Sequence, residues 1–164
     1  MAGFTGTLTA QVVALLTSAT SGVSARITAI EANDSALKAP GIRSIVSQNV
    51  SIQIAEASGQ SQYPALLVYC EQVQNLQREK FRNFSGRVHL AIETRHTQEK
   101  LDKIEQNTEM YVDAVCALLS EARGSWGDGA SYSGAYEVEY QPVALGGKNF
   151  VQRAKVSFAV DLSE

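Results

Sequence analysis

The stretch LQREKFRNFSGRVHLAIETR at residues 76–95 changes character at its middle. Between Arg78 and Phe84 it crowds three cations and two phenylalanines. From Phe84 onward it alternates. Phe84, Val88, Leu90 and Ile92 fall on one side at a period of two, and Arg87, His89 and Glu93 fall on the other, with Gly86 between them. That is the pattern of a half-buried strand. Upstream, ALLVYC at 65–70 is an unbroken apolar run suited to a central strand. The two segments predict an antiparallel hairpin whose tip runs from Arg78 to Asn83.

Working outward, Thr5 or Thr7 is placed to cap a first helix with Leu8, Val12, Leu15, Leu16 and Ala19 on one face. Val23, Ile27 and Ile30 resume helical spacing after Gly22, as a second helical turn or a continuation of the first. KAPG at 38–41 signals a turn. Val50, Ile52 and Ile54 alternate and predict a strand, followed by a loop over EASGQSQYP at 56–64. On the other side, Thr97 is expected to cap a long helix with Glu99 near its start. Its stripe is Leu101, Ile104, Thr108, Tyr111, Val115, Leu118, Leu119 and Ala122, roughly 25 residues or about 38 Å. Arg123 and Gly124 form a stop.

Beyond that stop, GSWGDGASYSG at 124–134 reads as a glycine-rich loop. Tyr136, Val138 and Tyr140 form a fourth strand, LGGKN a turn, and Ala154, Val156, Phe158, Val160 and Leu162 the inward face of a fifth. The fold class expected is α+β: a mainly antiparallel sheet of four to five strands packed against one long helix and an N-terminal helix. Residues 1–164 read as a single domain, with 31–58 a less regular segment suited to oligomer contacts.

A formal net charge of -3 argues against a dedicated nucleic-acid binder, whose affinity rests on neutralising phosphates. No apolar run approaches the roughly 20 residues of a membrane span, and no secretory signal is expected. The sequons at Asn33, Asn49 and Asn83 are therefore not expected to be used. Cys70 and Cys116 read as buried, reduced thiols.

Chemistry-bearing patterns are sparse. His89 and His96 lack motif context, and CxxC, HExxH and G-x-S-x-G are missing. LGGKNF carries Asn149 where a phosphate loop needs Ser or Thr, and a strand follows it. No catalytic residue, cofactor or metal is expected, and the chain is not expected to be an enzyme. Glu93, Glu137 and Glu139 read as a solvated strand face balanced by Arg153 and Lys155. Trp126 reads either as folded back on the core or as an interface anchor. The tip, with Arg78, Lys80, Phe81 and Arg82 and with Arg87 nearby, is either a solvated loop or a contact for a partner chain or passing DNA.

One resemblance enters through element order. A capped helix leads to YPALLVYCEQVQN, then to FSGRVHLAIETRHT, then to the amphipathic LDKIEQNTEMYVDAVCALLSEA. A tyrosine-rich strand and RAKVSFAVDLSE close the chain. This order resembles the tail terminator (tail completion) proteins of long-tailed bacteriophages and related contractile particles. Pro64 before the second strand, and Tyr111, Asp113, Ala114, Leu118 and Leu119 in the helix, carry the likeness. It covers roughly residues 60 to 164 and, more loosely, the first helix; the segment 31–58 fits it poorly.

The resemblance implies a homo-oligomeric ring, typically a hexamer, at the tail–neck junction of a virion, assembled in the host cytoplasm. Such a ring caps the tail tube, stops its polymerisation and docks the neck or connector protein. Genomic DNA passes through the centre with transient, non-specific contact. Arg78, Lys80 and Arg82 then face the channel or the tube, and the 31–58 segment and the Trp126 loop are the places expected to join subunits. A neck, head-completion or minor tail protein is the alternative. A small nucleic-acid-binding module is more remote.

Overall fold

A computed structural model describes residues 3–34, 39–59 and 62–164. In chain order the elements are α1 (Phe4–Thr17), α2 (Val23–Asn33), β1 (Ser44–Ser47), α3 (Ile52–Ala57), β2 (Ala65–Asn75) and β3 (Ser85–Gln98). They continue as α4 (Ile104–Glu121), β4 (Gly124–Gly127), β5 (Ala130–Tyr140), β6 (Ala144–Gly146) and β7 (Asn149–Ser163). Seven strands form one sheet in the order β1-β2-β3-β7-β5-β4, with β6 on the end of β7. Among the described residues only the β1–β2 pair is parallel.

This overturns the expectation of four to five mainly antiparallel strands on one long helix and an N-terminal helix. The sheet is mixed and seven-stranded, and four helices accompany it. β1, β4 and β6 are too short, at three to four residues, for alternation to show in the sequence. Asp128 and Gly129, both at positive φ, make a two-residue turn that folds the glycine-rich stretch into the β4–β5 hairpin. Asp-Gly suits that turn because both central residues need φ above zero.

Two other expectations fail for local reasons. Val50, Ile52 and Ile54 do not form a strand, because the Ser51 side chain accepts the Ile54 N–H and caps α3. Ile54 is then 61% exposed. Thr97 does not cap the long helix. It stays in β3, paired with Val151, because the β3–β7 ladder continues to Gln98 opposite Phe150. α4 starts later, after Lys103 in the left-handed region, and spans 18 residues, about 27 Å. Leu101 is left 59% exposed, off the stripe. Neither threonine caps α1, whose N-cap is Gly3, and Thr7 Oγ1 donates to the Gly3 carbonyl.

The central hairpin forms as the alternation predicts, with β2 and β3 antiparallel and a bulge at Glu71. Gly86 is needed beside it. A Cβ there would lie 1.9 Å from the Gln74 carbonyl oxygen. α1 and α4 pack on one face of the sheet, and α2 packs against α4. There Leu8, Val12 and Leu16 meet Leu66, Val68, Val88, Leu90, Ile92, Val115, Leu119, Val156, Phe158 and Val160. Each such side chain contributes about 1.5–3 kcal/mol on full burial. The break at Ser18–Gly22 makes α2 a helix of its own. The opposite face carries charge, and α3 lies beside its β1 end, where Ala55 and Val46 line one pocket.

Candidate interaction surface

The hairpin tip is built on a pinned base. Asn75 Oδ1 accepts from the backbone N–H of Gln77 (3.2 Å) and of Ser85 (3.3 Å). Phe84 and Glu164 exchange backbone hydrogen bonds at 2.9 and 2.8 Å, tying the base to the last residue of the chain. Phe84 is buried against Phe4, with ring centroids 4.7 Å apart. Phe81 is 99% exposed. The two phenylalanines therefore divide the work: one anchors the loop and the other projects from it.

The five residues singled out at the tip are brought together, but their charges are partly spent. Arg87 grips both carboxylate oxygens of Asp161, at 2.9 and 3.3 Å, and Arg78 reaches the same carboxylate at 3.3 Å. Arg82 lies 3.5 Å from Glu79. Lys80 makes no ion pair among the described residues. What the tip offers a partner is thus Lys80 and Phe81 side by side, with Arg82 at their flank. Pairs this exposed contribute about 0–1 kcal/mol each. Replacing Arg78, Lys80 and Arg82 together with alanine is accordingly expected to leave the urea midpoint nearly unchanged. A large drop would show that the tip cations hold the hairpin rather than a partner.

Trp126, expected in a loop, sits on β4. Its indole Nε1 donates to the Ala122 carbonyl at 2.7 Å, and its ring lies 5.5 Å from Tyr132 and 6.2 Å from Phe158. It is half-buried and folded onto the body, with its outer edge in a cleft of about 370 Å³ beside Gln11, Leu15 and Arg123. The tip and this cleft are separate features.

The sheet face away from α4 holds a cluster that the sequence reading missed. Glu93 is 8% exposed and Arg95 3% exposed, so neither belongs to a solvated face. Arg95 Nη2 donates to Glu93 Oε2 at 2.9 Å and to the Val50 carbonyl, and Arg153 approaches Glu93 at 3.7 Å. Lys155 bonds Glu71 at 2.8 Å and lies 4.0 Å from Glu139. The register shows the design: Arg95 stands directly opposite Arg153, and Glu93, two positions along on the same face, offers its carboxylate to both. Burial, followed by the charges of Glu93 and Glu71, raises the Tyr69 hydroxyl above its usual range. Glu93 and Arg95 two apart on β3, with Arg153 and Lys155 two apart on β7, were the available signal, but nothing in it revealed burial.

His96 is buried at the far end of β3. Its Nε2 lies 2.7 Å from Gln98 Oε1, an acceptor that also takes Asn107 Nδ2 at 2.7 Å, which makes Nε2 the protonated nitrogen. Nδ1 is buried without a partner among the described residues, and the ring meets Tyr111 edge-on at 5.4 Å. Burial lowers its pKa from the ordinary 6.5, against the opposing pull of Gln98. The unfolded chain therefore binds a proton that the folded chain refuses, so stability is full above about pH 6.5 and declines as pH falls below it. Urea midpoints measured from pH 7.5 to 5.5 are expected to fall in the wild type and to stay flatter in His96→Gln. Equal slopes would contradict the assignment.

Cys70 and Cys116 are unpaired and half-buried, and burial raises both thiols. No group of three His, Cys, Asp or Glu side chains is placed to hold a metal among the described residues. No helix among them is long and apolar enough to cross a membrane.

No protein-family model matches the chain, and no curated protein matches it at a significant level. The functional reading consequently rests on the sheet, its edges and the tip.

Proposed function

We propose that this chain is a structural virion protein of the tail-terminator kind, a subunit of a homo-oligomeric ring that caps the tail tube. In that role it stops tube polymerisation, receives the neck or connector protein and lets genomic DNA through its centre. The observation that carries the reading is the tip. A long hairpin holds Phe81 wholly in solvent next to Lys80, which has no ion pair among the described residues, on a chain of net negative charge. An exposed aromatic residue beside a cation is suited to anchoring in a protein pocket.

The same arrangement suits DNA transit. Passage requires weak contact, and pairing Arg78 and Arg87 to Asp161 keeps the tip from gripping phosphates strongly. The element order that suggested the family supports the reading as well. The test is assembly in cells with the Arg78, Lys80 and Arg82 triple alanine variant in place of the wild type. Defective head–tail joining or DNA passage is expected from a folded variant. Normal infectious particles would overturn the role given to the tip.

A further inference from the structure

The sheet ends in two open edges. β1 pairs with β2 alone, and nothing among the described residues pairs with its outer side. At the opposite end β4 covers β5 only as far as Tyr132, and the ladder to β7 resumes at Tyr136. From Tyr136 to Tyr140, β5 has β7 on one side and, among the described residues, no strand on the other.

The two edges correspond. Ser47 pairs with Val68, Val68 with Ile92, Ile92 with Val156, and Val156 with Val138. Ser44 leads in the same way through Ala65 and Arg95 to Arg153, whose carbonyl takes the Gln141 N–H at 2.9 Å. The four residues of β1 are thus in ladder register with 138–141. Strand directions match too. β1 runs with β2, and three antiparallel steps through β3 and β7 leave β5 running against β1.

Backbone and charge agree with that correspondence. Because the Gln141 N–H goes to β7, alternation turns the N–H and C=O of Tyr140, Val138 and Tyr136 to the open side. The Gln48 N–H goes to the Val68 carbonyl at 3.1 Å, and alternation through the β1–β2 register turns the N–H and C=O of Ile45 and Ser47 outward, at the positions that correspond to Tyr140 and Val138. Arg43 is exposed and has no ion pair among the described residues. Across the sheet, Tyr140 has the exposed carboxylates Asp113 and Glu109 for neighbours, and these act with burial to raise its hydroxyl above 10.0.

We propose that the two edges bind each other between copies: β1 of one subunit adds as an antiparallel strand to Tyr136–Tyr140 of the next, with Arg43 set against Glu109 and Asp113. An unpaired edge is a template for another strand. One chain carrying both halves of the contact makes a heterologous, head-to-tail interface, which closes into a ring under rotation. The inference rests on the ring reading above and supplies its subunit contact.

The test uses two proline variants, Ser47→Pro and Tyr140→Pro, each removing an outward N–H. Proline is tolerated on an edge strand whose N–H faces solvent. Native mass spectrometry of the wild type is expected to show a ring, and each variant alone only the 17.7 kDa monomer. Mixed in equal amounts, they are expected to give a species of twice that mass, because each retains the edge the other lacks. Far-ultraviolet circular dichroism checks folding. Should a proline variant fail to fold, Val46→Lys and Tyr140→Lys block the same edges with an exposed charge. Variants that keep the wild-type ring mass would overturn the edge contact and leave the ring reading standing. Monomeric variants that stay monomeric on mixing would overturn the complementary pairing. A wild type that is monomeric at every concentration would remove the ring reading itself.

Discussion

Arg95→Ala is expected to lower the free energy of unfolding by about 3–5 kcal/mol, since it strands the buried Glu93 carboxylate without its closest cation. Arg95 is 3% exposed and bonded to Glu93 at 2.9 Å, so water does not make good the loss. The Val50 carbonyl loses its donor at the same time, which loosens the link between β1 and α3. Arg153 cannot substitute, at 3.7 Å from the other carboxylate oxygen and half in solvent. The comparison that isolates charge from packing is the double replacement of Glu93 and Arg95 by methionine. Removing both members of a buried pair is often neutral or stabilising, so the double variant is expected to recover most of the loss. Urea titrations of the single and double variants measure this. A single-variant loss below about 1 kcal/mol would place the pair in the exposed class.

Tyr111→Ala is expected to destabilise by about 3–5 kcal/mol, as for other large aromatics removed from a core. The ring is fully buried in the middle of α4, edge-on to His96, and its hydroxyl donates to the Pro40 carbonyl. Burial, with the Glu31 carboxylate adding to it, raises that hydroxyl far above its ordinary pKa, so it stays protonated and remains a donor. Tyr111→Phe keeps the ring and leaves the Pro40 carbonyl unsatisfied, at about 1–3 kcal/mol. The carbonyl belongs to the segment that delivers β1 to the sheet edge. Tyr111→Phe should therefore also speed hydrogen exchange of the Arg43 N–H, which bonds Pro64 nearby. Unchanged exchange there would show that the segment is held by β1 alone.

What the sequence made legible was periodic. Phe84 at the entry to β3, Val88, Leu90 and Ile92 on it, and Ala154, Val156, Phe158, Val160 and Leu162 on β7 lie inward as alternation requires, and all are buried. The inner part of the helix stripe, from Ile104 to Leu119, behaves likewise. What failed was decided by single hydrogen bonds or by distant partners. The Ser51 cap turned an alternating Val50–Ile54 into helix, and fourteen residues of pairing with β7 carried Thr97 past its capping role. β1 has four residues and no pattern, and it exists because β2 offers an edge beside it. The tip was found by composition, yet its charge was overstated. Asp161 lies 74 residues from Arg87, and no local reading connects them.

The ring is the central claim, and the native mass of the purified wild-type protein across a wide range of concentration and salt tests it most directly. A single discrete oligomer well above 17.7 kDa, retained at high salt because backbone hydrogen bonds join the subunits, is the predicted result. A strict monomer at every concentration, gaining mass only with added oligonucleotide, would contradict the account and point to nucleic-acid binding instead.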